Sequence, residues 1–415
     1  MRVVAAILFA TSLGHAADPP PANLAAMLAE LDAANPDLLA GIARAQGARE
    51  VPERRQALPE PKLSVSYTND SLDRLTLGSS EFSNVTVGWE QDVPRRSVRD
   101  AASGVAKADA TIASLSVESM RARLRARVIG LYADLYRLDR TAAFLGETGE
   151  ILATELAAAR ARYESGMGTQ ESLLRAQTAK RRLDVQLEET ARDRRDVELE
   201  LCATLGRDAG AAIGAAASLP SATLPADATS LANAGSDSSP FVREAAGRTA
   251  RAEAALTEAK SAGKPELSWL AAYQYRGGLD PMVVGGISLR LPVWKSRDQA
   301  RGIVQSEADL TAARHDRDAA ALRARAETLA AVNDVASADR RLVLYREALI
   351  PEDVAGLEAA RAQLSAGRSE LGVVLDALNR LLADRRDATD LEAARLQTLA
   401  RLEAATGTTI VEVTP

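Results

Sequence analysis

The sequence predicts a mainly α-helical protein with a small β part, in which a unit of helix, strand hairpin, very long helix and returning helix occurs twice. Three observations predict this fold class. Apolar residues make up 47% of the 415 residues and aromatic residues only 3%, so alanine, leucine and valine must supply the packing surface. Short segments recur in the same order in the two halves of the chain. Within each half the hydrophobic period changes from two residues to between three and four.

The first residues predict export from the cytoplasm. Met1 and Arg2 precede an apolar run over residues 3–10, and small residues lie before a cut at Ala16 or Ala17. This is the pattern of a secretory signal peptide over residues 1–17, because the run is shorter than the roughly 20 residues that a spanning helix needs. The rest of the chain has no uninterrupted apolar stretch of that length. Any part that crosses a membrane must therefore do so as strands.

Repeated segments predict a duplication. Residues 61–64 (PKLS) recur as residues 265–268 (PELS), and residues 158–161 (AARA) with Gly166 recur as residues 359–362 with Gly367. Such internal similarity predicts two structural repeats. We place them at residues 18–206 and 239–407. Residues 207–238 are rich in Ala, Ser, Pro and Gly and are predicted to be a linker without a regular element. Residues 408–415 form a C-terminal tail.

Alternating residues predict one strand hairpin in each repeat, with strands at about 62–70 and 82–93, and at about 266–276 and 283–292. Each strand has about the length that a tilted transmembrane strand needs. All three tryptophans and three of the seven tyrosines lie in or just after these strands, which is typical of the interfacial aromatics of a membrane sheet. A soluble sheet that buries its aromatics against a helix explains the pattern equally well. The residues concerned are Tyr67, Trp89, Trp269, Tyr273, Tyr275 and Trp294.

Four strands are too few to close a sheet in lipid. Open sheet edges do not occur in the hydrocarbon region, and membrane barrels begin at about eight strands. Several copies of the chain must therefore contribute strands if the hairpins enter a membrane. Two copies would give eight strands and three would give twelve.

The remaining segments predict long helices at about 97–165, 169–206, 296–365 and 369–406. A helix of 69 residues extends about 100 Å, which no single globule needs. Gly166 and Gly367 lie where helix C-caps belong. Pro351, or Gly146 and Gly149 at the matching place in the first repeat, would kink or end a long helix.

The composition excludes several functions. One cysteine, Cys202, and two histidines, His15 and His315, leave no multi-Cys zinc site and little imidazole chemistry. We find no catalytic constellation and therefore predict neither an enzyme nor a cofactor. The net charge of −6 gives no basic surplus for nucleic acid. The basic run Arg121, Arg123, Arg125 and Arg127 is interpreted as a hydrated helix face.

Several segments carry a resemblance to a known family. They are Asn35-Pro36-Asp37-Leu38, Pro61–Ser64, 283–288, Leu291-Pro292-Val293-Trp294, Ile350-Pro351-Glu352, Leu364–Gly367 and Val374–Ala377. The order and duplication of these segments resemble the TolC-type outer-membrane efflux channels over nearly all of the mature chain. The opening Asn35-Pro36-Asp37-Leu38 and the short loops are most similar to the CzcC-like cation-efflux branch.

The resemblance implies an architecture and partners. Three chains would form a 12-stranded β-barrel in the outer membrane of a Gram-negative bacterium and a long α-helical barrel in the periplasm. Such a homotrimer would be the exit duct of a tripartite efflux system, joined to a periplasmic adaptor and an inner-membrane pump, for heavy-metal cations or drugs. The alternative function is a periplasmic coiled-coil adaptor or scaffold protein without a channel.

The resemblance also implies site residues. The turns at Gly166, Gly168, Gly367 and Arg368 would be the periplasmic tips. Asp376 matches a carboxylate that narrows the closed tip, and Arg175 occupies the equivalent place in the first repeat. Glu171 and Arg368 lie close enough to the turns to form salt bridges that hold the tip closed.

Overall fold

The computed structural model describes residues 21–222, 224, 228–291 and 297–412. The predicted signal peptide lies outside these residues. The first repeat consists of helices α1 (Leu24–Ala34) and α2 (Pro36–Gln56), strands β1 (Lys62–Thr68) and β2 (Asn84–Val93), and helices α3 (Arg96–Glu164) and α4 (Gln170–Leu205). Strand β3 (Ser221–Ala222) and helix α5 (Ala228–Ser238) follow. The second repeat consists of α6 (Pro240–Ser261), β4 (Glu266–Arg276), β5 (Leu279–Arg290), α7 (Gln299–Leu344), a π-helical turn (Tyr345–Leu349), α8 (Ile350–Ser365) and α9 (Leu371–Thr406), and strand β6 (Val411–Glu412) ends the described chain.

The start of α2 shows how a local signal sets the architecture. The Asn35 side chain accepts a hydrogen bond from the Leu38 backbone N–H at 2.7 Å, with proline at the first helical position. This is the arrangement that favours a helix N-terminus. The same side chain donates through Nδ2 to the Thr204 carbonyl at 2.7 Å, near the end of α4. Asn35 therefore caps one helix and holds it against the last turn of another.

The two hairpins join into one antiparallel sheet with the strand order β1-β2-β4-β5. Strand β5 begins at Leu279, four residues before the expected start at 283. Gly277 and Gly278 both have positive φ and complete the turn by themselves, so residues 279–282 are already in the strand. Pro281 is tolerated there because β5 is an edge strand of this sheet.

The two long rods differ in one turn. Helix α3 runs for 69 residues through Gly146 and Gly149 without a break. The second rod, predicted at 296–365, is helical from Gln299 to Ser365 but contains a π-helical turn between α7 and α8. Pro351 explains its place: its ring would collide with the carbonyl four residues earlier. The Ile350 N–H instead bonds the Tyr345 carbonyl, five residues back.

Helix α3 is the axis on which the other helices pack. Its first half packs on α2 and α6, and α6 packs on α7. Its second half packs on α4 and α9, and α9 packs on α7 and α8. The rod therefore has two levels, each with four helices side by side. The upper level, next to the sheet, has the order α2-α3-α6-α7. The lower level, which ends at the turns after α3 and α8, has the order α4-α3-α9-α8.

The predicted linker contains regular structure, so the expectation that it lacks any is wrong. Helix α5 packs against α7 and buries Leu231 and Ala232. Strand β3 pairs with β6 from the C-terminal tail. The energy comes from burial against a distant helix, which overrides the weak local preference of a Ser- and Ala-rich segment.

The C-terminal strand is held by a buried carboxylate. Glu403, near the end of α9, accepts hydrogen bonds from the Ile410 and Val411 backbone N–H groups at 3.0 and 2.9 Å. Its other oxygen accepts from Arg125 Nε of α3 at 2.6 Å. Because the charge is paired and hydrogen-bonded, its burial is tolerated.

Candidate functional sites

One face of the sheet is apolar except at Gln91 and is open to the surroundings. The strand register places Val65, Val87, Tyr273 and Val283 in one row across all four strands. Leu63 and Ile287 on the same face are exposed over 74% and 79% of their surface. The opposite face carries Ser64, Ser66, Thr86 and Gln274 among its side chains. A sheet with a wide exposed apolar face and a more polar reverse suits a surface between lipid and water.

The aromatic residues lie at the two ends of this face. Trp89 and Trp269 contact each other edge to face, with ring centroids 4.9 Å apart. Tyr275 and Tyr67 both flank Val85 in the register, toward the loop end of the sheet. Tyr275 lies six positions after Trp269 in β4, about 20 Å along the strand. Of the six predicted interface aromatics, Trp294 lies outside the described residues.

Hydrogen bonds from hydroxyl groups hold the loop between β1 and β2 together. The Thr76 and Ser80 hydroxyls donate to the Asp70 carboxylate, and these bonds lower the pKa of that carboxyl. Gly78 packs against the backbone of Gly277, where a Cβ would meet the carbonyl oxygen at 2.2 Å. This loop is therefore held against the β4–β5 turn.

The two helical turns predicted as tips have the same backbone structure. Gly166 and Gly367 both have φ of +71°. Met167 N–H donates to the Arg162 carbonyl at 2.8 Å, and Arg368 N–H donates to the Gln363 carbonyl at 2.9 Å. These are Schellman motifs, which satisfy the last carbonyls of α3 and α8. Gly168 packs closely against Arg162 and Tyr163, whereas Arg368 is exposed.

Side chains join the two turns within one chain. Arg162 Nη2 at the end of α3 donates to the Leu364 carbonyl at the end of α8, at 3.0 Å. Above it, Arg361 of α8 pairs with Glu155 of α3 at 3.2 Å. Nothing in the sequence pattern singled out Arg162. Its place in the last helical turn, where cations favour orphan carbonyls, is the only local signal.

The structure brings together the residues predicted for a constriction. Asp376 and Arg175 line one groove of about 830 Å³ between α4 and α9, floored by α3. Arg175 pairs with Glu171 at 2.6 Å in the same helix. Its Nη1 lies 3.1 Å from the place of a Cβ on Gly372, so the missing side chain makes room for the guanidinium beside α9. Glu171 is thus engaged within α4, and among the described residues no carboxylate lies within 4.0 Å of the Arg368 guanidinium.

The basic run on α3 is exposed at Arg121, Arg123 and Arg127, as a hydrated surface would be, and its side chains also contact the neighbouring helices. Arg121 pairs with Asp32 of α1, and Arg125 pairs with Glu403 of α9. Arg127 pairs with Glu200 of α4, and Arg123 lies over the Phe241 ring of α6 at 5.1 Å. Alternate arginines point to different sides of a helix, so the run ties α3 to four neighbours.

Two searches of the described residues give negative results. None of the helices in residues 21–222, 228–291 and 297–412 is both long and apolar enough to cross a membrane. Within the same part of the chain, no three His, Cys, Asp or Glu side chains are arranged to hold a metal ion.

A duplicated rod of four helices per level, joined to a sheet with one exposed apolar face, defines the class of outer-membrane channels. The profile of the family described as Outer membrane efflux protein matches residues 27–207 and 209–408. The chain belongs to this family. Its class comprises the outer-membrane channels of tripartite efflux systems, which are trimers and not enzymes.

Solved structures share the fold. The outer membrane protein VceC of Vibrio cholerae has a TM-score of 0.78 at 17% identity, over 93% of this chain and 96% of that chain. The CmeC channel of Campylobacter jejuni has a TM-score of 0.77 at 12% identity, over 93% and 85%. The open state of the MtrE channel of Neisseria gonorrhoeae has a TM-score of 0.73 at 17% identity, over 94% and 90%. No curated protein sequence matches the chain significantly.

These comparisons confirm the predicted fold class and the outer-membrane location, with the helical part in the periplasm. They also decide between the two predicted functions. The family supplies the channel of an efflux system, and an adaptor or scaffold without a channel is a different component.

Proposed function

We propose that three copies of this chain form the exit duct of a tripartite efflux system, with a 12-stranded barrel in the outer membrane and a 12-helix barrel in the periplasm. The observation that carries the proposal is that the sheet and the helical rod end in open edges on the same two sides. Strands β1 and β5 are the outer strands of the four-stranded sheet. Three sets of four strands and of four helices at each level then close both walls.

The edges of the helical rod support this closure. In the lower level α4 is one edge, and it exposes Leu174, Val185 and Leu199 over about half of their surfaces. The other edge is α8, whose exposed residues include Ala355, Ala359 and Ala362. Small side chains on one helix allow the close approach of larger ones from another. We assign the contact between copies to α4 of one and α8 of the next.

The tips are the proposed docking points for a periplasmic adaptor, which in turn binds the inner-membrane pump. Gly166, Gly367 and Arg368 are exposed, and Met167 exposes 81% of its surface. Gly168 allows the tight return into α4. Two rigid turns of equal shape, repeated by three copies, give six similar contacts around the duct.

The proposed constriction lies just above the tips. Three copies of Asp376 around one axis would attract cations and repel anions, as a carboxylate ring does. Arg175 in the same groove would offset part of that charge. Arg368 could latch the closed tip only through a carboxylate of a neighbouring copy, and replacing it with alanine would then raise conductance. Unchanged conductance would refute the latch.

The cargo is proposed from sequence likeness alone. Asn35-Pro36-Asp37-Leu38 and the short loops are similar to the CzcC-like branch, which favours heavy-metal cations over drugs. Substrate choice in such systems is mainly attributed to the inner-membrane pump. A comparison of metal and drug sensitivity in cells with and without the chain tests this choice.

The mass of the detergent-solubilised particle, combined with single-channel recording, tests the central proposal. We expect a particle of three chains that conducts ions across a planar bilayer. A matched variant, Val185→Glu, introduces three charges at the proposed contact between copies and is expected to lower the trimer fraction. A soluble periplasmic monomer would refute the proposal.

A further inference from the structure

The π-helical turn lies between α7 and α8 in the second long rod, and we call it the joint. Contacts to α9 hold the first two residues of this turn. The Tyr345 hydroxyl donates to Asp387 Oδ2 at 3.4 Å, and Arg346 Nη2 donates to Glu392 Oε1 at 2.5 Å. Helix α8 continues below the joint to the tip. A π turn has a wider hydrogen-bond ring than its surroundings and is frequent at functional positions. The joint is thus the natural place for α8 to move relative to α7.

Directly below the joint, Asp353 of α8 and Asp384 of α9 face each other across the helix pair, near enough for Asp353 to act on the ionisation of Asp384. The Asp353 Oδ2 atom is buried, and no hydrogen-bond donor of the described residues reaches it. Two ionised carboxylates are both acceptors and cannot bond each other. A proton on one of them allows a hydrogen bond between the two carboxyl groups.

The surroundings of the pair favour that proton. Burial raises the pKa of the Asp384 carboxyl, and the hydrogen bond and charge of Asp353 and the charge of Asp387 raise it further. The nearby Arg385 is engaged with Glu147 of α3 at 2.8 Å. Arg346 of the π turn is engaged with Glu392. The other charged residues within one turn of Asp384 are Arg380 and Arg386 on α9 itself.

Space for movement is present beside the pair. A cavity of about 210 Å³ lies between α3, α8 and α9. It is lined by Val354, which follows Asp353, and by Phe144, Leu357 and Leu381 among others. Imperfect packing on this side lowers the cost of shifting α8.

We propose that a proton shared by Asp353 and Asp384 latches α8 to α9 just below the π turn, and that its loss at higher pH loosens the periplasmic end of α8. This device goes beyond the proposed duct and does not depend on conduction. With the proton present, a carboxylic acid donates to a carboxylate. Without it, two negative charges repel each other across the helix pair.

The pH dependence follows from the direction of the shift. A carboxyl whose folded-state pKa is raised binds its proton more tightly in the folded protein. The latch is therefore complete below the ordinary aspartate value of 3.8 and is lost as pH rises through the raised pKa of Asp384. Helix α8 is tightest in acid and loosens toward neutral pH.

Hydrogen–deuterium exchange of the full-length protein in detergent tests the latch. Protection factors for the peptides of α8 are measured from about pH 4 to about pH 8, corrected for intrinsic exchange. In the wild type we expect protection to fall about tenfold across this range, the value of one charge-assisted hydrogen bond. In the Asp384→Asn variant the side-chain amide donates to Asp353 at every pH. The protection of the α8 peptides in this variant should therefore stay high at every pH.

Two further variants complete the test. Asp353→Asn gives the same amide–carboxylate bond from the other side and should behave like Asp384→Asn. Asp390→Asn removes a carboxylate from the same helix that pairs with Arg137 at 3.6 Å, and it should keep the wild-type pH dependence. A flat profile in the wild type, or the same pH dependence in both amide variants as in the wild type, would overturn the proposal.

Discussion

Arg162 of the first helical hairpin donates a hydrogen bond to the Leu364 carbonyl of the second, at 3.0 Å. The two residues lie at the ends of α3 and α8, one turn before the glycines that reverse each chain. The carbonyls at a helix C-terminus have no partner within the helix, and a cation there is favoured. The two tips of one chain are therefore coupled by a side chain from one repeat and a backbone group from the other.

Removing this bond should loosen the tip. Arg162→Ala is expected to weaken the contact by about 1 kcal/mol, since the group is partly exposed, and to speed tryptic cleavage after Arg368 about fivefold. The control is Arg160→Ala, which removes an exposed arginine whose partner is Glu164 in the same helix. Equal cleavage rates in the two variants would contradict a coupling role for Arg162.

The turn at Gly367 should depend on its left-handed backbone alone. No atom lies within 4 Å of the place where a Cβ would be, so Gly367→Ala meets no collision. Its φ of +71° still costs a residue with a Cβ about 1–2 kcal/mol. We expect faster proteolysis at Arg368 than in the wild type. Gly104→Ala is the control, because Gly104 lies inside α3 with open space around it and should gain about 0.5–1 kcal/mol.

The buried carboxylate of Glu403 should be the main anchor of the C-terminal strand. Glu403→Ala leaves Arg125 and two backbone N–H groups without their acceptor, and breaking a buried pair costs about 3–5 kcal/mol. We expect a lower melting temperature and early proteolysis of residues 408–415. Glu412→Ala removes an exposed carboxylate in β6 and should change neither. A small effect of Glu403→Ala would show that the β3–β6 pairing suffices.

Local patterns predicted the strands and most helix ends, because these depend on neighbours in sequence. Leu63, Val65 and Tyr67 alternate with polar residues, and the register places them on the apolar face. The duplicated glycines predicted both tip turns. The π joint was only indicated by Pro351, since a proline can kink, end or widen a helix and the surrounding contacts decide which.

Other features depend on residues far apart in the chain. Helix α5 gains its stability from α7, which begins about 60 residues after α5 ends. The bond between Arg162 and Leu364 forms only after the two repeats have packed, and Asp353 and Asp384 come together only after α8 and α9 have paired. Contacts of this kind need the three-dimensional arrangement, because no periodicity connects the partners.

The lone thiol should be nearly inert in the folded protein. Cys202 is 1% exposed, and its Sγ donates to the Ala211 carbonyl at 3.4 Å. Burial raises the pKa of the thiol, so less thiolate is present at neutral pH and alkylation is slow. A water-soluble maleimide should label Met167→Cys, at the exposed tip, much faster than Cys202. Comparable labelling rates at pH 7 would contradict this packing.

Cysteine labelling at two neighbouring positions on β1 distinguishes a sheet that faces lipid from a sheet that faces water on both sides. Val65 and Ser66 are both exposed in the single chain but point to opposite faces. If the apolar face meets lipid, a membrane-impermeant maleimide should label Ser66→Cys in vesicles and leave Val65→Cys unmodified. Both should react after unfolding in detergent, which controls for intrinsic reactivity, and the buried Cys202 keeps the background low. Equal labelling of the two cysteines in vesicles would show that water reaches both faces, because only lipid distinguishes two positions that the single chain exposes alike.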